Sequence, residues 1–218
     1  MASCIRTGEP VRIQESLGRE ANMYKKQLKL QKILCFLALA SSVVIFLYAL
    51  GIMTDLYDTL YSTMRNPADL TQTDVEGSIV YYNMQGWNAY FLHWSIALIL
   101  LACLLFITNT HIRRRYYIGN YISIGAFAAA NLYLAFESHS YIEAFKARFM
   151  MVDFEALLAH ADLWKTYYTE STFWFDIHYA VFAFSIIVSL ALVACAIWKV
   201  LLMKEEKQLL AAGKGAKA

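Results

Sequence analysis

Cysteine is missing from the places where an extracellular protein would use it. The four cysteines are Cys4, Cys35, Cys103 and Cys195; one is near the N-terminus and three lie inside apolar runs. The two long polar segments between those runs hold none, which excludes a disulfide framework there. With no CxxC and no Cys/His pairing, the usual structural zinc spacings are excluded as well. Charge is scarce too: 17% of residues are charged, against about 25% in an ordinary soluble chain. The net charge of +2 is too small to suggest a nucleic-acid partner. There is no P-loop, no GxSxG and no HExxH, so no reaction is named by a motif and no catalytic residue is assigned. Ala2 follows the initiator, so the glycine that myristoylation needs is lacking, and no CaaX box closes the chain.

What the sequence does have is grease in long blocks. Of its 218 residues 59% are hydrophobic, and the mean hydropathy is +0.42. Four apolar runs, about 33–52, 89–108, 117–136 and 173–202, are each long enough for a hydrocarbon core. They predict an all-α integral membrane protein, a four-helix up-down bundle. A basic segment 1–32 precedes it, outer loops 53–88 and 137–172 interrupt it, and a tail 203–218 follows. The first run lies too far from the N-terminus, and is too long, for a signal-peptide core. Tyr81, Tyr82, Trp87, Tyr116, Tyr117, Trp174 and Trp198 flank the runs, as interfacial aromatics do.

Lysine and arginine set the expected orientation. The N-terminal segment, the short loop with Arg113, Arg114 and Arg115, and the C-terminal end from Lys199 onward hold 15 of the 19 basic residues. The two long loops and their edges hold 12 of the 17 acidic ones. Both termini are therefore expected on the cytoplasmic side. The stretch from Asn22 to Lys32 reads as a basic helix running into the first span, and it can lie against anionic headgroups.

An offset of 85 residues aligns the two halves. Leu47-Tyr48 matches Leu132-Tyr133, Asp58 matches Glu143, His93-Trp94 matches His178-Tyr179, and Ile96 matches Val181. These matches suggest two parallel hairpin repeats forming one bundle. The stripe Leu56, Leu60, Met64 and the stripe Ala144, Ala147, Met151 predict that spans one and three continue as helices outside the membrane, with Pro67 ending the first. Met150 to Lys165 reads as further helix.

Ionisable groups near a bilayer core are costly, so each one needs a reason. His93, Glu137, His139, Asp176 and His178 fall at one level, the outer membrane edge, and Asp55 and Asp58 are placed to join them. Three readings stand side by side. These are wetted interfacial groups that need no ligand, they converge on a haem, copper or iron, or they line a proton or substrate path. In the second reading His93 and His178 grip the cofactor across the bundle diagonal. Glu137/His139 and Asp176/His178 are each two residues apart, so the members of each pair do not share a helical face. Asn131 is the deepest strongly polar group of span three. Beside it Gly119, Ser123, Gly125 and Ala129 give the small-residue spacing of close helix packing.

The topology is similar to that of tetraspanins, claudins and connexins, whose outer loops carry the cysteines that this chain lacks there. Residues 172–179 resemble His-bearing helices of copper membrane monooxygenase and oxidase subunits, without their wider metal motifs. Neither likeness assigns a family. The leading functional expectation is transport, pore formation or service as a subunit of a membrane complex. Expected partners are the lipid bilayer, further copies of the chain or other membrane subunits. A membrane redox protein is the second expectation.

Overall fold

The computed structural model describes residues 9–54, 76–110, 117–156, 159 and 170–215. Among them the regular elements are helices: α1 Glu9–Thr54, α2 Ile79–Thr110, α3 Tyr117–Phe149, α4 Phe173–Asp176 and α5 His178–Gly215. Pro10 falls in the first turn of α1, where the N–H it lacks would have no intrahelical partner. The stretches Asn22–Met53, Ile79–Asn109, Ile118–Phe149 and Phe173–Leu209 are all long and apolar enough to cross a membrane.

Helices α2 and α3 exceed the apolar runs at the ends that adjoin the two long loops. Helix α2 begins at Ile79, well before the run that starts at Ala89. Helix α3 continues to Phe149, past the end of its run at Phe136. The expected helix from Met150 to Lys165 does not start there: Met150 and Met151 are in a turn, and helix resumes at Phe154. The expected extension of span one, with Leu56, Leu60, Met64 and Pro67, lies outside the described residues, as do Asp55 and Asp58.

Helix α1 packs against α2 and α5, and α3 packs against the same two. Helices α1 and α3 therefore occupy one diagonal, α2 and α5 the other. The contacts run in opposite senses along neighbouring helices. Gln31 of α1 meets Asn109 of α2, whereas Tyr48 meets Phe91. Asn131 of α3 meets Ser189 of α5, whereas His139 meets His178.

The centre of the bundle is aromatic at one end. Tyr48, Phe91 and Phe182 form mutual edge-to-face contacts with centroids 5.9–6.2 Å apart, and Trp87 stacks on Phe91 at 5.1 Å. Such pairs contribute about 0.5–1.5 kcal/mol each beyond the burial of their area. Towards the other end the interior turns polar, with Ser41, Ser42, Asn131, Ser185 and Ser189 all buried. Large apolar side chains such as Leu100, Ile107, Ile118, Ile122, Ile187 and Leu190 point outward instead. Serine inside and isoleucine outside is the distribution a lipid surrounding favours.

Two glycines are held by close approach. The Trp174 indole lies where a Cβ on Gly51 would project. Gly77 has φ +81°, and a Cβ there would meet the Met151 carbonyl oxygen at 2.8 Å. Beside it the Asp153 N–H donates to the Glu76 carbonyl at 3.1 Å, so the end of the first long loop touches the start of the second.

The 85-residue repeat finds no support in the packing. Tyr48 is buried and Tyr133 exposed; Ile96 is exposed and Val181 buried. His93 is exposed while His178 is buried. Matched positions occupy unlike environments.

Candidate metal centre at one end of the bundle

The site begins with a break in a helix. Helix α4 stops at Asp176, Ile177 forms a turn, and α5 starts at His178. The break leaves the Phe175 carbonyl beside the His178 ring, where it pairs with Nδ1. Because a carbonyl only accepts, Nδ1 carries the proton and Nε2 carries the lone pair. His178 is fully buried. The Phe182 ring lies edge-on to it with centroids 5.7 Å apart, forming a dry floor.

Two side chains of α3 meet that lone pair. His139 Nδ1 lies 2.8 Å from His178 Nε2, and the Glu143 carboxylate lies 3.8 Å from the same nitrogen. His139 and Glu143 are four residues apart, so one helical face presents both. One candidate ligand atom from each of the three side chains lies within 4.8 Å of the others. Tyr179 fixes the carboxylate by donating its hydroxyl to Glu143 Oε1 at 2.8 Å. Lys146 pairs with Asp176, which also accepts from the Thr172 hydroxyl at 2.8 Å. That pairing holds the α4 segment against α3 beside the site.

Two imidazoles and a carboxylate are a donor set for a borderline divalent ion such as zinc, iron or copper. On a tetrahedral ion with bonds of ~2.05 Å, two nitrogens sit about 3.3 Å apart. The 2.8 Å separation between the rings is shorter, so His139, the more exposed partner, would have to swing outward by about half an ångström for an ion to enter. In the ion's absence the His139 N–H donates to His178, and an ion would take the place of that proton.

The other expected site residues are elsewhere. His93 is exposed, and its Nδ1 pairs with the Ala89 carbonyl of its own helix at 2.6 Å. It is not brought to His178. Glu137 accepts from the Tyr90 hydroxyl at 2.9 Å, beside Tyr133, on the outer surface of α2 and α3. Asp176 belongs to the Lys146 pair rather than to the imidazoles. Asn131 is fully buried and donates to the Ser185 carbonyl at 2.9 Å and to the Ser189 hydroxyl at 2.7 Å. Among the small residues of α3, Ser123 faces inward, whereas Gly119, Gly125 and Ala129 face outward.

Sequence reasoning did not place Glu143 or Tyr179 at the site. The signal was the His139/Glu143 spacing, overlooked because that stretch lies beyond the apolar run. A second polar layer, at the opposite end of the bundle, was missed too. Gln31 donates to Asn109 at 2.6 Å, Asn109 donates to Ser123 at 3.0 Å, and Gln27 donates to Gln31 at 2.9 Å. These bonds tie α1, α2 and α3 together, while the buried Gln27 Oε1 has no hydrogen-bond partner among the described residues.

No protein-family model, curated protein or solved structure matches the chain.

Proposed function

We propose that the chain is a multi-pass membrane protein that binds one divalent transition-metal ion at its outer face through His139, Glu143 and His178. The observation carrying this reading is the fully buried His178, its Nδ1 held by a backbone carbonyl and its Nε2 aimed at a second imidazole and a carboxylate. A ring so oriented is how proteins commonly prepare a metal-ligating histidine. In this reading the four helices span the membrane up and down, with both termini in the cytoplasm. The positive-inside distribution of lysine and arginine supports that orientation.

Elemental analysis of the detergent-purified protein, after equilibration with zinc or cobalt and removal of excess, tests it. About one ion per chain is expected, with a cobalt spectrum showing imidazole ligation. His178→Ala and Glu143→Ala should lose the ion, and His93→Ala should retain it. A folded, monodisperse protein that retains no ion overturns the reading. If His93→Ala loses the ion as His178→Ala does, the diagonal arrangement is correct instead.

A second reading, service as a subunit of a membrane assembly, is favoured by α3. A Cβ added at Gly119 or Gly125 meets nothing, and Ala126 and Ala129 are exposed on the same helix. Small residues facing outward allow another transmembrane helix to approach closely. Gly125→Leu should then lower the mass of the detergent-purified particle in light scattering. An unchanged mass removes the support from this helix. Tyr48, Phe91 and Phe182 fill the bundle axis at the end near the histidine pair, which argues against transport through a single copy.

A further inference from the structure

A groove of about 510 Å³ opens between α1 and α2 at the end opposite the histidine pair, lined by Lys32, Ile33, Phe36 and Phe106. It is mostly open to its surroundings rather than an enclosed pocket. Its lining is graded: an ammonium at one end, then an isoleucine and two phenylalanines, all exposed. The grading extends along α1. Lys25, Lys29, Lys32, Ile33 and Phe36 recur at helical spacing and share one face, while Gln27, Gln31 and Cys35 turn into the bundle. Lys25, Lys29 and Lys32 are all exposed. Neither wall opposes them: from Asn22 to Thr54 of α1, and throughout α2, there is no aspartate or glutamate.

We propose that this groove is a binding site for an anionic phospholipid of the cytoplasmic leaflet. The headgroup phosphate sits at Lys32 and Lys29, and an acyl chain lies along Ile33, Phe36 and Phe106. The match is one of order as well as of chemistry, because cation and apolar wall follow each other along the helix as phosphate and chain do along the lipid. A lipid against a flat helix surface touches one helix and exchanges freely. Here two helices flank the chain while lysines hold the headgroup, a combination basic pockets between transmembrane helices use for acidic lipids. The site is independent of the histidine pair and of any ion bound there.

The test is native mass spectrometry of the full-length protein in detergent, titrated with phosphatidylglycerol and, separately, with phosphatidylcholine of the same acyl chains. Phosphatidylglycerol should bind in preference, with a first site that saturates. Lys32→Gln should weaken that site about fivefold, the loss of one lysine near an anionic headgroup. Phe36→Ala and Phe106→Ala should weaken both lipids, because they remove the wall rather than the charge. Lys207→Gln, on the exposed tail of α5, is the control and should change nothing. These positions are exposed, and an unchanged circular dichroism spectrum and elution volume verify the fold of each variant. Equal binding of the two lipids overturns the proposal. So does a loss with Lys207→Gln as large as with Lys32→Gln, which would mean that diffuse charge attracts the lipid without a groove.

Discussion

His139 Nδ1 and His178 Nε2 face each other at 2.8 Å across the contact between α3 and α5. An ion bound between them ties the two helices together and binds the folded state far better than the unfolded one. Linkage then requires the protein to become more stable as metal is added, by about 2.7 kcal/mol when free metal is 100 times the dissociation constant. Thermal unfolding in detergent should therefore shift upward with micromolar zinc. The shift should vanish in His139→Gln, which keeps a polar side chain of similar reach but removes the ring. A zinc-dependent rise that persists in His139→Gln would place the ion elsewhere.

Asn131 joins the same two helices nearer the middle of the bundle, and its contribution is smaller. It makes two donated bonds to α5, while its Oδ1 has no hydrogen-bond partner. Interhelical bonds of this kind contribute about 0.6 kcal/mol each and rarely more than about 1.7. Asn131→Leu loses both bonds and also removes the buried oxygen, so a net loss below about 2 kcal/mol is expected in unfolding by sodium dodecyl sulfate. Asn131→Asp should cost more, because it sets a second acceptor against the Ser185 carbonyl. If the leucine variant proves the less stable, the bonds matter more than the oxygen's burial.

The extent to which this fold and site were legible in the sequence differs by level. Apolar runs located all four helices, because a bilayer demands length and hydrophobicity, and both are additive along a chain. The rotation of each helix is a different matter, since it depends on which neighbours a helix packs against. The buried stripe of α2 passes through Met84, Asn88, Phe91, Ser95 and Leu98, and that of α5 through His178, Phe182, Ser185 and Leu192. His93 lies two positions past Phe91 and so points away, although the 85-residue offset equates it with His178. His139 and His178 were legible as ionisable groups at one depth. Glu143 was not, because it lies about two turns beyond the apolar run, on a helix whose continuation decides what it faces.

Gly51 and Trp174 give a case in which two substitutions should be worth more together than their sum. The indole occupies the space of a Cβ on Gly51, and the Tyr48 hydroxyl donates to the Trp174 carbonyl at 2.9 Å beside it. Gly51→Ala alone should destabilise the protein by displacing the indole. Helix propensity alone would favour alanine there by about 1 kcal/mol. In a Trp174→Ala background the steric conflict is gone, so the sign should reverse and Gly51→Ala should stabilise. Thermal unfolding of the two singles and the double completes the cycle. Additive effects would mean that the ring moves aside without cost.

The orientation of the bundle would decide which compartment supplies an ion to the histidine pair, and it can be read by labelling. Cys35 and Cys195 are buried and can remain, whereas Cys4 and Cys103 are replaced by serine and alanine. Single cysteines are then introduced at Ser140, exposed next to His139, and at Lys207, exposed on the tail of α5. The lysine and arginine distribution places residue 140 outside and residue 207 in the cytoplasm. A membrane-impermeant maleimide added to intact cells should modify Ser140→Cys, and should reach Lys207→Cys only after permeabilisation. The reverse pattern would turn the histidine pair towards the cytoplasm, where the ion would come from the cell's own metal pool. It would also move the groove at Lys32 to the opposite leaflet, so one labelling experiment bears on both sites at once.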